Sequence, residues 1–194
     1  MKIAILKYNA GNIMSVQFAL KRLGYDAEVT SDEKIIRNSD RFIFPGVGEA
    51  SSTMEYLRRE GLDQLLKELN QPVLGICLGL QLMCAHSEER NTDCIGIFDV
   101  PVLKFEPVMN VPHMGWNTLK NTKGLLFEDI NPGSYAYFVH SYYAAMSEYT
   151  VASCNYINDF SASLQRDNYF ATQFHPEKSG DTGHIILKNF IEKA

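Results

Sequence analysis

Residues 72–83 read Pro-Val-Leu-Gly-Ile-Cys-Leu-Gly-Leu-Gln-Leu-Met, and no other stretch limits the possible folds so tightly. The apolar run before Cys77 is too short for a helix of its own and reads as a buried strand. Gly75 and Gly79 flank the cysteine at minus two and plus two. That spacing is the pattern of a nucleophile elbow. In such a turn a strand stops abruptly, the nucleophile takes a strained backbone conformation, and small neighbours are needed because the chain doubles back on itself. A helix beginning at Leu78 would place the positive end of its dipole under the sulfur and favour thiolate, the reactive form. The competing reading is a small buried hydrophobe, the common fate of a free cysteine.

Strand and helix signals alternate on the amino-terminal side of the elbow. Residues 2–8 predict a strand, 9–12 a turn on Gly11, and 13–23 a helix with apolar residues at 13, 16, 20 and 23, stopped by Gly24. Further strands are expected at 26–29 and 41–44, the second running into Pro45-Gly-Val-Gly48, and helices over 50–59 and 62–69 precede the elbow strand at 73–76. A glycine pair just past a strand permits positive φ and uncovers backbone N–H groups, which suits an anion or a developing oxyanion. A plain strand-to-helix turn would explain it equally. Beyond residue 92 the segments 95–98, 102–105, 116–119, 135–142, 151–156, 161–165 and 170–174 predict strands, with Asp167-Asn168 as a hairpin loop and 182–192 as a closing helix. The expectation is a single domain over 1–194 with an α/β fold: a mainly parallel central sheet with flanking helices plus an antiparallel extension. Such sheets bind ligands beyond the carboxyl ends of their strands, where Gly48 and Cys77 would lie.

Composition narrows the functional classes. With 194 residues, 45% of them hydrophobic, the chain can bury a sizeable core. A formal net charge of −5 offers no basic face for nucleic acid or an anionic membrane. No apolar run approaches the roughly 20 residues a bilayer span needs, and the apolar part of the opening segment is too short for a signal peptide, so the cytoplasm is the expected compartment. The four cysteines, at 77, 84, 94 and 154, have no Cys-x-x-Cys spacing, so reduced thiols are expected, with neither a zinc site nor a disulfide framework. No metal or cofactor is called for.

The second constellation is His175-Pro-Glu177. Proline at 176 biases His175 towards an extended backbone, and in an extended segment residues two apart face one side. A carboxylate could then fix the tautomer of an imidazole whose other nitrogen exchanges a proton with a sulfur, so that Cys77, His175 and Glu177 form a triad by role. A surface histidine beside a solvated acid is the plain alternative. Histidines 86, 113, 140 and 184 lack such a neighbour.

Gly75-Ile-Cys-Leu-Gly79 taken together with His175-Pro-Glu177 resembles the signature of class I, triad-type glutamine amidotransferases, and the resemblance covers essentially the whole chain. Within that class the Tyr8-Asn-Ala-Gly-Asn12 loop, Pro45-Gly-Val-Gly48 and Pro112-His-Met-Gly-Trp-Asn117 are similar to the glutaminase subunits of imidazole glycerol phosphate synthases of histidine biosynthesis. Lys7, Asn9 and Arg90 depart from that pattern. The resemblance implies a glutaminase in which Cys77 attacks L-glutamine, the backbone N–H groups of Val47 and Leu78 form the oxyanion hole, and Gly48, Gln81, Glu89, Ser141 and Tyr142 hold the substrate. Gln81, one helical turn after Cys77, can face the same cleft; a solvent-facing helix glutamine is the alternative. The resemblance also implies a heterodimer with a (β/α)₈-barrel synthase subunit that consumes the ammonia, docked through Met114, Trp116, Tyr137 and Lys178. A poor glutaminase rate is expected without that partner. Ammonia supply to anthranilate, guanylate or pyridoxal phosphate synthesis, hydrolysis of γ-glutamyl peptides, and a catalytically silent regulatory subunit are the rival readings.

Overall fold

A computed structural model describes residues 1–8 and 12–194. The turn expected on Gly11, and Asn9 with it, therefore lie outside the described residues. The first half of the chain forms β1 (Ile3–Leu6), α1 (Ile13–Arg22), β2 (Ala27–Thr30), α2 (Glu33–Arg37), β3 (Arg41–Gly46), α3 (Ala50–Arg59), α4 (Leu62–Lys67), β4 (Val73–Cys77) and α5 (Leu78–Met83). The second half forms β5 (His86–Ser87), β6 (Thr92–Asp93), β7 (Pro101–Lys104), β8 (His113–Thr118), β9 (Tyr135–His140), β10 (Tyr142–Ala144), β11 (Thr150–Tyr156), β12 (Asn158–Arg166), β13 (Tyr169–Thr172) and α6 (Gly180–Lys193).

The central sheet runs β2-β1-β3-β4-β13-β12-β11. From β2 to β13 every neighbouring pair is parallel, and β12 and β11 extend the sheet antiparallel. The Asp167-Asn168 hairpin joins β12 to β13 as expected, with Arg166 opposite Tyr169. Two smaller sheets, β10-β7-β5-β6 and β8-β9, complete the extension.

Side-chain alternation along the parallel strands divides the core in two. Ala4, Leu6, Phe42, Phe44 and Val73 pack beneath α3 and α4, against Met54, Leu57, Leu62 and Leu66. Ile3, Ile5, Ile43, Leu74 and Ile76 face the other way, under Val16 and Leu20 of α1 and Ile186 and Phe190 of α6. Each such large side chain, fully buried, contributes about 1.5–3 kcal/mol. Both faces of the parallel strands are thus covered, leaving their carboxyl ends as the open crevice.

Two expected strands are corrected. Residues 95–98 form no strand, because their N–H groups cap α5 instead: Ile95 donates to the Leu82 carbonyl at 2.8 Å, Gly96 to Cys84 at 2.8 Å, and Ile97 and Phe98 both to Met83 at 2.9 Å. Residues 135–142 form two strands rather than one. β9 pairs with β8 and β10 with β7, so the chain changes sheets at Ser141. That change of sheet carries Ser141 and Tyr142 to the mouth of the crevice.

Candidate active site

The sharp turn at Cys77 is real and built as its glycines require. Cys77 has φ 55° and ψ −106°, between the end of β4 and the start of α5. A Cβ on Gly79 would overlap the Phe44 carbonyl oxygen, and one on Gly75 would come within 2.5 Å of Met83 Sδ. A Cβ on Gly46 would lie 2.8 Å from Leu78 Cβ. The three glycines let β3, β4 and α5 approach backbone to backbone. α5 is six residues long and Cys77 makes no capping hydrogen bond through its side chain, so local N–H groups matter more here than a long-helix dipole.

Strand register brings the second constellation to the first. Thr172 lies opposite Ile76, which sets the residues just after β13 beside Cys77, while Gly46 of β3 pairs with Cys77 from the other side. His175 is extended, with φ −96° and ψ 96°, and Pro176 then opens a 3-10 turn over Pro176–Lys178. Glu177 therefore reaches the imidazole by curling through that turn rather than by two-residue alternation along a strand. His175 Nδ1 and Glu177 Oε1 are 2.8 Å apart, and both side chains are buried, at 1% and 0% exposure. Asn12 donates from Nδ2 to the same carboxylate oxygen.

The other ring nitrogen, Nε2, is buried without a hydrogen-bond partner among the described residues. Burial opposes a charged imidazole, but the Cys77 sulfur and the Glu177 carboxylate outweigh it and push His175 up to about 10. The imidazole between the sulfur and the carboxylate is therefore held in its protonated form. The three other thiols are held neutral by burial, Cys94 and Cys154 pushed up to about 12 and Cys84 well above its ordinary value.

Cys77 and His175 line a cavity of about 380 Å³ together with Val47, Gly48, Leu78, Gln81, Glu89, Ser141 and Tyr142. All of the expected oxyanion and substrate residues thus border one hollow with Cys77 and His175, and Pro112, Val139 and His140 complete its wall. A hollow of about 620 Å³ at the amino ends of β1 and β2 brings together no cysteine or histidine. Gly48 has φ 118° with open space where a Cβ would be, so glycine serves backbone conformation there rather than room. Glu89 accepts from the Ala50 N–H at 2.7 Å. Burial first, and then neighbouring Glu49, raise its carboxyl above the ordinary value, with Ala50 and Arg90 opposing. Arg90 forms an ion pair with Glu49 and has φ 52°, a left-handed conformation that glycine adopts more easily than arginine.

Of the expected docking residues, Met114 is 67% and Trp116 55% exposed. They alternate along β8, and Trp116 meets the Tyr137 ring edge-on at 5.9 Å between centroids. Tyr137 accepts from the His175 N–H at 2.9 Å through its carbonyl, so this patch adjoins the His175–Glu177 pair. Lys178 is exposed one residue beyond Glu177. Sequence reasoning missed two groups. Asn12 was visible only as part of a loop motif, and Gln173, fully buried beside the sulfur, carried no local signal.

An elbow cysteine, a strand-end His-x-Glu and a glycine-lined crevice define a class, and the comparisons agree. Residues 5–194 match the family model described as glutamine amidotransferase class-I, and the chain belongs to that family. Within it, the chain is 57% identical over 195 residues to the imidazole glycerol phosphate synthase subunit HisH of Bacteroides fragilis, covering 99% of this chain and 100% of that one. It is 46% identical over 193 residues to the HisH subunit of Idiomarina loihiensis, covering 99% and 98%. A solved glutamine amidotransferase structure superposes with a TM-score of 0.74 at 18% identity, over 97% of this chain and 98% of that one, and so shares the fold.

Proposed function

We infer that this chain is the glutaminase subunit of an imidazole glycerol phosphate synthase, hydrolysing L-glutamine to glutamate and ammonia for histidine biosynthesis. The observation that carries the chemistry is that Cys77 and His175 line one cavity while Glu177 is bonded to the His175 imidazole at 2.8 Å. Full-length similarity to HisH subunits favours the histidine pathway over anthranilate, guanylate or pyridoxal phosphate synthesis.

In the proposed cycle Cys77 thiolate adds to the side-chain carboxamide carbon. The oxyanion is met by the N–H groups of Val47 and Leu78, each such donor being worth about 3 kcal/mol. Imidazolium His175 passes its proton to the leaving nitrogen, ammonia departs, and a glutamyl thioester remains. His175, now neutral, takes a proton from water as it attacks the thioester, and glutamate is released with the thiolate restored. Glu177 holds Nδ1–H throughout, and Asn12 holds Glu177. Gly48, Gln81, Glu89 and the Ser141-Tyr142 backbone bind the substrate's polar ends.

The acceptor is a (β/α)₈-barrel synthase subunit that forms imidazole glycerol phosphate and an aminoimidazole carboxamide ribotide. It docks on Met114, Trp116, Tyr137 and Lys178, in the cytoplasm, without nucleic acid or membrane. Two more exposed apolar side chains, Met14 and Phe18 on α1, support a docking face of this kind. The test is ammonia release from glutamine by the chain alone and with its barrel partner. Slow turnover alone, stimulation by the partner, and no turnover in Cys77→Ala are expected. A Cys77→Ala protein that still released ammonia at the parent rate would overturn the reading.

A further inference from the structure

Gln173 takes no part in the cycle above, yet its side chain is fully buried and reaches the nucleophile. Nε2 stands 3.8 Å from Cys77 Sγ, and Oε1 stands 3.0 Å from Gln81 Nε2. The two ends of an amide look alike in outline, so this orientation has to be earned from the neighbours. The fixed point is the Tyr142 carbonyl oxygen, which can only accept. The Gln81 amide atom 2.8 Å from it must be the nitrogen. That same nitrogen faces Gln173, so the Gln173 atom turned towards it must be the oxygen. The Gln173 NH₂ is then left against the sulfur, and both Gln81 N–H bonds are used, leaving Gln81 Oε1 as the atom that side chain can offer a substrate.

The sulfur's second contact sorts the two protonation states. Val139 carbonyl oxygen, 3.8 Å from Sγ, can serve only a thiol, because a thiolate has no proton to give it. Gln173 Nε2–H serves the anion better, since donors to charged acceptors make the stronger hydrogen bonds. We propose that Gln173 is a positioning residue for the nucleophile: its amide, oriented by Gln81 and the Tyr142 carbonyl, donates to the Cys77 sulfur and favours thiolate over thiol. This rests on Cys77 being the nucleophile of the proposed function.

The test is the rate of Cys77 alkylation by iodoacetamide across pH in the full chain, followed by peptide mass spectrometry so that each cysteine is read separately. Gln173→Met removes the donor at similar length. Gln173→Glu keeps an acceptor for Gln81 but turns an oxygen towards the sulfur. At neutral pH, Cys77 labelling is expected to fall about tenfold in the Met variant and further in the Glu variant, with both profiles displaced to higher pH and glutamine turnover falling in parallel. A merely structural role would lower the melting temperature and leave the profile in place. Folding is checked by near-ultraviolet circular dichroism, and if the Met variant fails it, the Glu variant, which keeps the Gln81 bond, decides. A folded variant with the parent's labelling profile overturns the assignment. A parent Cys77 that labels no faster than Cys94 instead overturns the nucleophile reading itself.

Discussion

Acidification from pH 7 to pH 5 should remove about 2 kcal/mol of folding stability through His140 alone. The reason is a buried chain of hydrogen bonds whose polarity is set at one end. The Tyr142 carbonyl can only accept, so His140 Nδ1, 2.8 Å away, carries the proton. His140 Nε2 is then bare and accepts from His113 Nδ1–H at 3.1 Å, and His113 Nε2 in turn accepts from Asn117 Nδ2 at 3.3 Å. Every ring nitrogen is used and both rings are neutral; a proton on His140 Nε2 would face the N–H of His113. Burial is the leading cause that lowers His113 to about 4 and His140 to about 3, with the nearby His113 and His175 also disfavouring charge on His140 and the Tyr142 bond opposing. Below an unfolded value of 6.5 the denatured chain takes up protons that the native chain refuses, so stability falls with pH. One and a half units below that point, a histidine kept neutral loses about 2 kcal/mol. His113, lowered to about 4, adds nearly as much with the same sign. His175 acts with the opposite sign: its raised value keeps the native imidazole charged throughout, while the unfolded one gains its proton between pH 7 and pH 5, which offsets part of the loss in parent and variant alike; its contribution fades as pH rises from about 6.5 towards about 10. The perturbation is His140→Gln, whose amide can donate to Tyr142 and accept from His113 without titrating. Urea unfolding at pH 7 and pH 5 should show the parent losing about 2 kcal/mol more than the variant. Equal losses would refute the neutral, polarity-locked pair.

Three further outcomes follow from the same geometry. Glu177→Gln leaves the imidazole without its buried counter-charge and should lower glutaminase kcat in the partnered enzyme about a hundredfold or more; a rate within threefold of the parent would refute its role. Gly79→Ala forces a methyl group against the Phe44 carbonyl and should destabilise by about 1–3 kcal/mol in urea, whereas an unchanged midpoint would mean that the elbow has more room than the backbone suggests. Trp116→Ala should weaken partner binding about tenfold or more by titration calorimetry while leaving the melting temperature of the lone chain in place, because the ring is 55% exposed. A matched loss of stability would place Trp116 in the core instead.

What could be read from the sequence depended on how far apart the cooperating groups lie along the chain. The elbow was legible because its demand is local: Gly75 and Gly79 are two residues from Cys77, and their lack of side chains has a single explanation. Alternation along β1 and β3 and the apolar face of α1 exposed the layered α/β core for the same reason. α2 escaped because it buries only Ile36, too little for a periodic signal, although Asp32 caps it by accepting from the Lys34 and Ile35 N–H groups. Residues 95–98 misled because alternating apolar residues suit a strand and a buried helix cap equally, and only the neighbouring α5 carbonyls decide between them. The His175–Glu177 pairing was expected for a partly mistaken reason, since any backbone that brings the two together within three residues satisfies the chemistry. Gln173 and the His113–His140 chain had no such local handle. Their roles come from Thr172 lying opposite Ile76 and from His113 lying opposite His140, and a slip of one residue in either register would turn those side chains to the other face. The groups that surround the proposed reacting atoms are therefore specified by strand pairing, while those atoms themselves are specified by the turns on which they sit.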